Sequence, residues 1–274
     1  MVKILFKRKI NITRIKKGEK KDLQDIVLIE SPVDIFINSE PLVNIICLHK
    51  DLEELAIGFL FSVGIINSTD DVKEIKTSKL DNNIYITLQN SINLNFDDFN
   101  MNPVSRVVDS TCGISTPWRE VIEKSLDNVN TKNLLKSKDS IRINSNTIFS
   151  AIKKMQISTP LYRETGGCHG AAIFDLDGNL LSVKEDVGRH NAIDKVIGDL
   201  LLKKHSFANV FLTSTGRLTA DSVLKAIKAK IPIVASFSAA VESGIRLAFA
   251  YGITLIGFAR GSRMNIYTHP ERII

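Results

Sequence analysis

A short segment in the second half of the chain concentrates side chains that can do chemistry. It contains Glu185, Asp186, Arg189 and His190 within six positions. Arginine presents a planar fork of donors that suits phosphate, histidine can donate or move a proton, and carboxylates can accept hydrogen bonds from a purine edge or a ribose. The same groups could instead form a capping and salt-bridge network between a strand and a helix, because buried polar groups need partners. The residues alone leave both interpretations open.

Two further loops carry similar donors directly after strand-like runs. Arg217 follows a Ser-Thr-Gly sequence after residues 209–214, and an Arg-Gly-Ser-Arg sequence at 260–263 follows residues 254–259. Ligands of open α/β sheets bind beyond the carboxyl ends of the strands. A helix that starts there also presents backbone N–H groups and a partial positive charge to phosphate. Together, the three donor-rich loops predict a site for a large anion with several phosphates.

The three cysteines differ in their surroundings. Cys112 lies among small polar residues, which predicts an exposed loop from which a thiol can reach a partner, although a cysteine tucked under a helix is the alternative. Cys47 alternates with apolar residues and is predicted to be a core residue. Cys168 is predicted to be structural, and the role of the adjacent His169 stays open. An odd, sparse cysteine count fits a reducing cytosol, which predicts a cytoplasmic protein.

The elements that must position these residues alternate between strand and helix patterns in the second half of the chain. This alternation predicts a three-layer α/β domain with a partly parallel sheet. The predicted elements are a helix over 146–157, a hairpin over 169–186 that turns at Asp177-Gly178, helices over 191–204, 219–230 and 239–252, and strands over 209–214, 231–237 and 254–259.

The first hundred residues predict mostly strands and one helix. A hairpin over 33–48 turns at 38–41, and a helix follows that Asp51 is expected to cap. Residues 117–127 predict another helix, opened by its proline. We therefore expect an N-terminal β-rich domain over 1–135, which ends in the Cys112 loop and a helix, and a C-terminal α/β domain over 136–274.

Charge is distributed unevenly along the 274 residues. The formal net charge is +6, whereas residues 1–22 alone hold nine Lys or Arg and two acidic residues. The rest of the chain is therefore nearly neutral, and the basic arm is either a solvated edge strand or a contact for an acidic partner. No aromatic residues are interleaved for nucleic-acid binding, and no apolar run approaches the ~20 residues of a membrane span, so neither partner is expected.

Several familiar signatures are missing from the sequence. It contains no GxxxxGK[ST] phosphate loop, no GxGxxG, no GxSxG and no CxxC. The paired zinc-ligand motifs of the nucleobase deaminases are missing as well. We therefore expect no tightly bound metal, and a nucleotide hydrolase or deaminase is disfavoured.

Four blocks of the chain resemble the FdhD/NarQ family, the formate dehydrogenase accessory sulfurtransferases. The blocks cover residues 165–172, 185–198, 213–226 and 254–273, in the family's order and spacing. The resemblance implies a cytidine-deaminase-like fold for the C-terminal part and a homodimer. It also implies transfer of sulfur from a cysteine desulfurase to the molybdenum cofactor of formate dehydrogenase, a bis(molybdopterin guanine dinucleotide).

The resemblance also implies roles for individual residues. Cys112 would carry the sulfur as a persulfide. The phosphates of the guanine dinucleotides would meet Arg260, Arg263 and the start of the helix at Arg189. The cofactor-binding set is therefore expected to comprise Asp186, Arg189, His190, Arg217, Phe258, Ala259, Arg260, Gly261, Ser262 and Arg263.

One departure from the family pattern concerns the sulfur chemistry. Many members carry a second cysteine three residues after the first, and this chain has Ser115 there. A relay between two cysteines at these positions is therefore not available. An alternative function is a non-catalytic chaperone that binds the molybdenum cofactor for formate dehydrogenase.

Overall fold

The computed structural model describes residues 6–78, 82–90, 107–108 and 141–274. Cys112, Ser115 and the helix predicted over 117–127 lie outside the described residues. The predicted domain boundary near residue 135 lies outside them as well, so the division into two domains stays a prediction.

The second half of the chain is built on a six-stranded mixed sheet. Its strand order is β13-β12-β11-β10-β8-β9. Strands β10, β11 and β12 run parallel, and β8, β9 and β13 pair antiparallel with their neighbours. The strands are β8 (His169–Asp175), β9 (Leu180–Asp186), β10 (Val210–Ser214), β11 (Ile233–Ser236), β12 (Thr254–Arg260) and β13 (Arg263–Thr268).

Helices cover both faces of this sheet because its strands are apolar on both sides. Phe211 packs with α2 (Ser145–Ile157) on one face, and the next residue, Leu212, packs with α4 (Arg189–Leu202) on the other. The remaining helices of this part are α3 (Pro160–Thr165), α5 (Ala220–Lys228) and α6 (Glu242–Tyr251). A sheet between two helical layers confirms the predicted three-layer α/β class. The closer likeness to cytidine deaminases stays a prediction.

The N-terminal part contains a second, strand-rich sheet with the order β5-β6-β3-β4-β7. The predicted hairpin is confirmed, and it turns at Asn38 and Ser39, which both have positive φ (50° and 73°). Two consecutive positive φ values are typical of the tight turn that matches strand twist. The strands are β3 (Glu30–Ile37), β4 (Glu40–Leu48), β5 (Val72–Ser78), β6 (Asn83–Leu88) and β7 (Val107–Val108).

Helix α1 (Leu52–Val63) follows this hairpin as predicted, but the prediction that Asp51 caps it is wrong. Asp51 has left-handed backbone angles and makes no side-chain capping bond. Its carboxylate instead accepts a hydrogen bond from Lys184 at 3.2 Å, and Glu54 accepts another from the same ammonium at 2.6 Å. Lys184 on β9, whose side chain is partly buried, therefore pairs with both carboxylates, and Asp51 does not cap the helix.

The two parts of the chain share one hydrophobic core. It includes Ile35 and Phe59 from the first part and Val196 and Ile227 from the second. Helices α1 and α4 touch backbone to backbone, since a Cβ added to Gly58 would overlap the carbonyl of Asp194. The N-terminal sheet and α1 are thus fixed rigidly against the helix that begins at Arg189.

The basic N-terminal arm forms its own two-stranded ladder, β1 (Lys7–Lys16) with β2 (Glu19–Leu28). Most of its residues are exposed, as the interpretation as a solvated strand requires. Phe6 and Lys7 connect it to the rest of the protein, through the Ile29 N–H and through a 2.8 Å ion pair with Glu164. None of the described helices is long and apolar enough to cross a membrane.

Candidate functional site

The topology brings the predicted site segments to one edge of the six-stranded sheet. The parallel strands β10 and β12 end there at Ser214 and Arg260. Strand β8 runs the other way, so its first residue, His169, lies at the same edge and pairs with Asp186 at the end of β9. Helix α4 starts three residues later, at Arg189. The sequence predicted that these segments follow the ends of strands, and the structure has them there.

A fourth loop, which the sequence did not predict as part of the site, contacts the loops after β10 and β12. After β11, the N–H of Phe237 donates to the carbonyl of Ser214 at 3.0 Å. The carbonyl of Ser238 accepts from the N–H of Phe258 at 2.8 Å, and the carbonyl of Ala239 accepts from the N–H of Leu218 at 2.9 Å. This loop fixes the other two relative to each other. This loop also follows a predicted strand. The expectation that ligands bind beyond the carboxyl ends of strands therefore applies to it as well.

The side chain of Arg260 is held by that loop. Its Nε donates to the carbonyl of Phe237 at 2.8 Å, and its Cζ lies 4.2 Å from the centroid of the Phe237 ring. The ring of Phe258 lies 5.6 Å from the same atom. A guanidinium above an aromatic face keeps its remaining N–H donors directed along its plane. Arg260 is exposed, so these donors are accessible to an anion.

Arg189 lies along the backbone at Gly216. A Cβ added to Gly216 would sit 2.8 Å from the Cβ and 3.2 Å from the Cδ of Arg189, so only glycine admits this side chain. Gly216 is itself held, because its N–H donates to Ser214 Oγ at 3.0 Å and its carbonyl accepts from Ser236 Oγ at 2.6 Å. The neighbouring Arg217 is exposed. Two cations from different elements therefore lie at this edge.

The pKa of His169 depends on the charged groups at this edge. Its Nδ1 lies 3.2 Å from Thr215 Oγ1, which accepts from the Gly170 N–H at 3.0 Å, so the hydroxyl can donate to a neutral imidazole. Burial lowers the pKa of His169, and the positive charges of Arg189 and Arg217 lower it further, against an opposing effect of Asp186. Burial and the two arginines therefore both favour the neutral form of the His169 ring.

A cavity of about 370 Å³ opens beside His169. Its lining residues are Tyr162, Gly166, Gly167, Cys168, His169, Val187 and Thr215. Cys168 is only 4% exposed, which confirms that it is a buried residue. Burial, followed by the charges of Glu185 and Asp186, raises the pKa of its thiol to about 12. Cys168 is therefore a neutral thiol at physiological pH and a poor nucleophile.

Asp186 differs from its predicted role as a ligand contact. Its carboxylate is fully buried and accepts from the Leu48 N–H at 3.0 Å, the Gly188 N–H at 2.8 Å, Asn191 Nδ2 at 2.9 Å and Lys195 Nζ at 2.6 Å. These donors use its oxygens inside the protein. The alternative of a capping and salt-bridge network is therefore what the structure supports for this residue. Asp186 joins the end of β4 to the start of α4.

Two more residues of this segment, Glu185 and His190, and Ala259 of β12 face inward. Glu185 accepts from the Tyr162 N–H at 2.8 Å and is 3% exposed, and burial raises its pKa. His190 is also 3% exposed, and Ala259 is fully buried in the core against the outer helix α2. The predicted ligand contacts through the side chains of His190 and Ala259 are therefore wrong, because both side chains are buried in the protein.

The turn between β12 and β13 is the most exposed part of the edge. Gly261, Ser262 and Arg263 are all exposed, and Gly261 has a φ of 57° with no atom within 4 Å of the place where a Cβ would be. The strands β9 and β12 are separated by four strand spacings, or about 19 Å. The arginines of the edge can therefore contact a ligand that is considerably longer than a single nucleotide base.

No group of three or more His, Cys, Asp or Glu side chains is arranged to hold a metal ion in the part of the chain that the structure describes. The chemistry available at this edge is that of arginine, backbone N–H and hydroxyl donors. It suits an anionic ligand.

Comparison with known proteins gives consistent matches. Residues 28–274 match the sequence model of the FdhD/NarQ family. The chain is 38% identical over 267 residues to the "Sulfur carrier protein FdhD" of Sulfolobus acidocaldarius, covering 97% of this chain and 98% of that protein. It is 32% identical over 263 residues to the protein of the same name from Bacillus subtilis, covering 96% of each.

A solved structure also matches over nearly the whole chain. It is a crystal structure of a protein from Desulfotalea psychrophila that is named as a formate dehydrogenase accessory protein. The TM-score is 0.74 at 29% identity, with 98% of this chain and all of that chain covered. The likeness therefore extends over both the N-terminal sheet and the six-stranded sheet.

Proposed function

Since this chain belongs to the FdhD/NarQ family, we propose that it carries sulfur as a persulfide on Cys112 and delivers it to the molybdenum cofactor needed by formate dehydrogenase. The sulfur donor is a cysteine desulfurase. The observation that carries the proposal is the row of arginines along one edge of the sheet. Arg189 starts α4, Arg217 follows β10 and Arg260 ends β12. The homodimer and the cytoplasmic location stay predictions.

The edge fits a bis(molybdopterin guanine dinucleotide) as the bound substrate. Such a molecule carries two pyrophosphates, and arginine pairs with phosphate through two parallel hydrogen bonds. The ~19 Å between β9 and β12 accommodates a dinucleotide rather than a single phosphate. The contacts are made by Arg189, Arg217, Arg260 and the turn 261–263.

Strand β7, the described element that precedes Cys112 in the sequence, runs in the direction of this edge. Strand β7 runs parallel to β4 and ends at Val108. Strand β4 ends at Leu48, whose N–H donates to Asp186 beneath the start of α4. Three residues separate Val108 from Cys112 in the sequence. This direction supports a thiol that works beside the arginine row.

The sulfur step needs one nucleophilic thiolate. The Cys112 thiolate attacks the terminal sulfur of the desulfurase's cysteine persulfide, a new S–S bond forms on Cys112, and the desulfurase thiolate leaves. The exchange needs no external oxidant or reductant. Delivery breaks the S–S bond on Cys112 and returns its thiolate. The transferred sulfane sulfur becomes a sulfide-level ligand by gaining two electrons, which the reduced metal centre of the bound substrate would supply. With Ser115 in the second position, a single cysteine performs both exchanges.

Intact mass spectrometry tests the carrier step. We expect anaerobic incubation with a cysteine desulfurase and cysteine to add one sulfur atom to the protein, and peptide mapping to place it on Cys112. Cyanide treatment is expected to remove the added sulfur as thiocyanate, because it attacks sulfane sulfur. The Cys112→Ser variant is the control and should show no adduct.

The second candidate function, a cofactor chaperone without sulfur transfer, is favoured by one feature, Ser115 in place of a second cysteine. It shares the arginine row but needs no thiol. A wild-type protein that binds the cofactor and takes up no sulfur from the desulfurase would support the chaperone and reject the carrier.

Guanosine diphosphate tests the arginine row, with His169 as the reporter. Because the charges of Arg189 and Arg217 lower the pKa of His169, a pyrophosphate bound to them should raise it. We expect the titration of the His169 ring by NMR to shift to higher pH with the nucleotide. The ligand-free Arg189→Met variant should show the same direction of shift. An unchanged His169 titration at saturating nucleotide would place the pyrophosphate elsewhere.

A further inference from the structure

A second cavity, of about 530 Å³, lies away from the edge that holds the arginine row. It is lined by the carboxyl-terminal ends of α1, α4 and α5 and by the loop after α4. Helix α4 begins at the arginine row and has 14 residues, so its far end is about 21 Å away. The cavity is therefore separate from the proposed cofactor site. Its volume is typical of sites for small organic ligands.

One wall of this cavity is aromatic. The rings of Phe61 and Phe207 are stacked, with their centroids 6.1 Å apart and their planes at 20°. Phe207 is half-buried and Leu201 is 8% exposed, so both present apolar surface to the cavity. A flat apolar group placed here would continue the stack that the two phenylalanines begin.

The cavity also contains a buried cation that has no carboxylate partner among the residues that the structure describes. Lys228 is 8% exposed, and its Nζ lies 5.9 Å from the centroid of the Phe61 ring. The described part of the chain gives it no carboxylate within ion-pair distance, whereas Lys195 and Lys225, which are fully buried, each pair with an aspartate. Burial lowers the pKa of Lys228, and the charge of Lys230 lowers it further. The ammonium form of Lys228 is therefore not stabilised by any of the described carboxylates.

The rim adds to the positive charge. Lys204 and Lys230 line the cavity together with Lys228, and Asp70 is the carboxylate among the lining residues. Asp70 pairs with Lys204 at 2.9 Å, at a position where both side chains are exposed. The positive charges of the lining therefore exceed its negative charge, which favours an anionic ligand.

We propose that this cavity binds a small organic anion with a flat aromatic body, such as an aryl carboxylate. The anionic group pairs with the ammonium of Lys228, and the ring packs against Phe207. Binding supplies the counter-charge that no described carboxylate gives this lysine, and it buries apolar surface on both partners. The site is independent of the sulfur chemistry at the opposite end of α4.

Binding of 2-naphthoate to the full-length protein tests the proposal, with 2-naphthamide as an uncharged ligand of the same shape. We expect calorimetry to give 2-naphthoate at least about tenfold higher affinity, which corresponds to about 1.4 kcal/mol. Methyl NMR should show shifts at Leu201 and Ala229, which line the cavity, and none at Ala259 near the arginine row. Equal affinities for the two ligands, no binding, or shifts at Ala259 instead would overturn the proposal.

Three variants separate the contribution of the Lys228 charge from that of the aromatic wall. Lys228→Met keeps the length of the side chain and is expected to reduce the naphthoate affinity to that of the amide. Lys204→Met removes an exposed, paired lysine from the same cavity and should change the affinity less than about threefold. Phe207→Leu should weaken both ligands while their ratio persists. An unchanged naphthoate affinity in Lys228→Met would reject Lys228 as the anion contact.

Discussion

Replacement of Cys112 by alanine is expected to lower the formate dehydrogenase activity of a complemented deletion strain at least about 100-fold, to background. Without a thiol, the protein has no atom at this position that can hold a sulfane sulfur. Serine at the same position should give the same loss, because a hydroxyl cannot form a persulfide. The measurement is formate oxidation in extracts, with the amount of the variant protein checked by immunoblotting.

The matched control is Cys47→Ala. Cys47 is fully buried in the N-terminal sheet, and burial, together with the charge of Asp186, raises the pKa of its thiol to about 12. It is therefore a core residue and not a sulfur carrier, and the variant should keep its activity within about twofold. Normal maturation by Cys112→Ala would remove this thiol from the mechanism and leave the chaperone function.

The sequence predicted where the strands end better than it predicted which side chains face outward. Strand ends can be identified from apolar runs, so Arg189, Arg217 and Arg260 were correctly placed at one edge. Which side chains point outward depends on tertiary contacts that sequence patterns do not contain. Asp186 was interpreted as a ligand contact, although donors from β4, α4 and the turn between β9 and α4 surround it in the fold.

The same limit explains what was missed within the fold. Asp51 fits a helix cap by residue type, but Lys184, 133 positions away in the chain, competes for its carboxylate. Lys228 has an ordinary amphipathic spacing on α5. That none of the described carboxylates pairs with it is apparent only from the packing of the fold around it. Long-range pairing of charges is thus the main information that local sequence does not supply.

The Asp186 network predicts the largest effect on stability. Asp186→Ala is expected to lower the free energy of unfolding by about 3–5 kcal/mol, because it leaves the fully buried ammonium of Lys195 without its counter-charge. It also leaves the N–H groups of Leu48 and Gly188 without their acceptor. Urea unfolding followed by circular dichroism measures the loss. Arg246→Ala, in an exposed pair with Glu242, is the control and should stay within about 0.5 kcal/mol.

Lys195→Met distinguishes a network centred on the carboxylate from a simple ion pair. In this variant Asp186 keeps hydrogen bonds from Leu48, Gly188 and Asn191, which stabilise its charge without the lysine. We therefore expect Lys195→Met to lower the free energy of unfolding clearly less than Asp186→Ala does. If the two variants lose the same stability, the backbone donors contribute little, and Asp186 acts only as the counter-ion of Lys195. A smaller loss for Lys195→Met would instead show that the carboxylate holds β4 to the start of α4, and so positions Arg189.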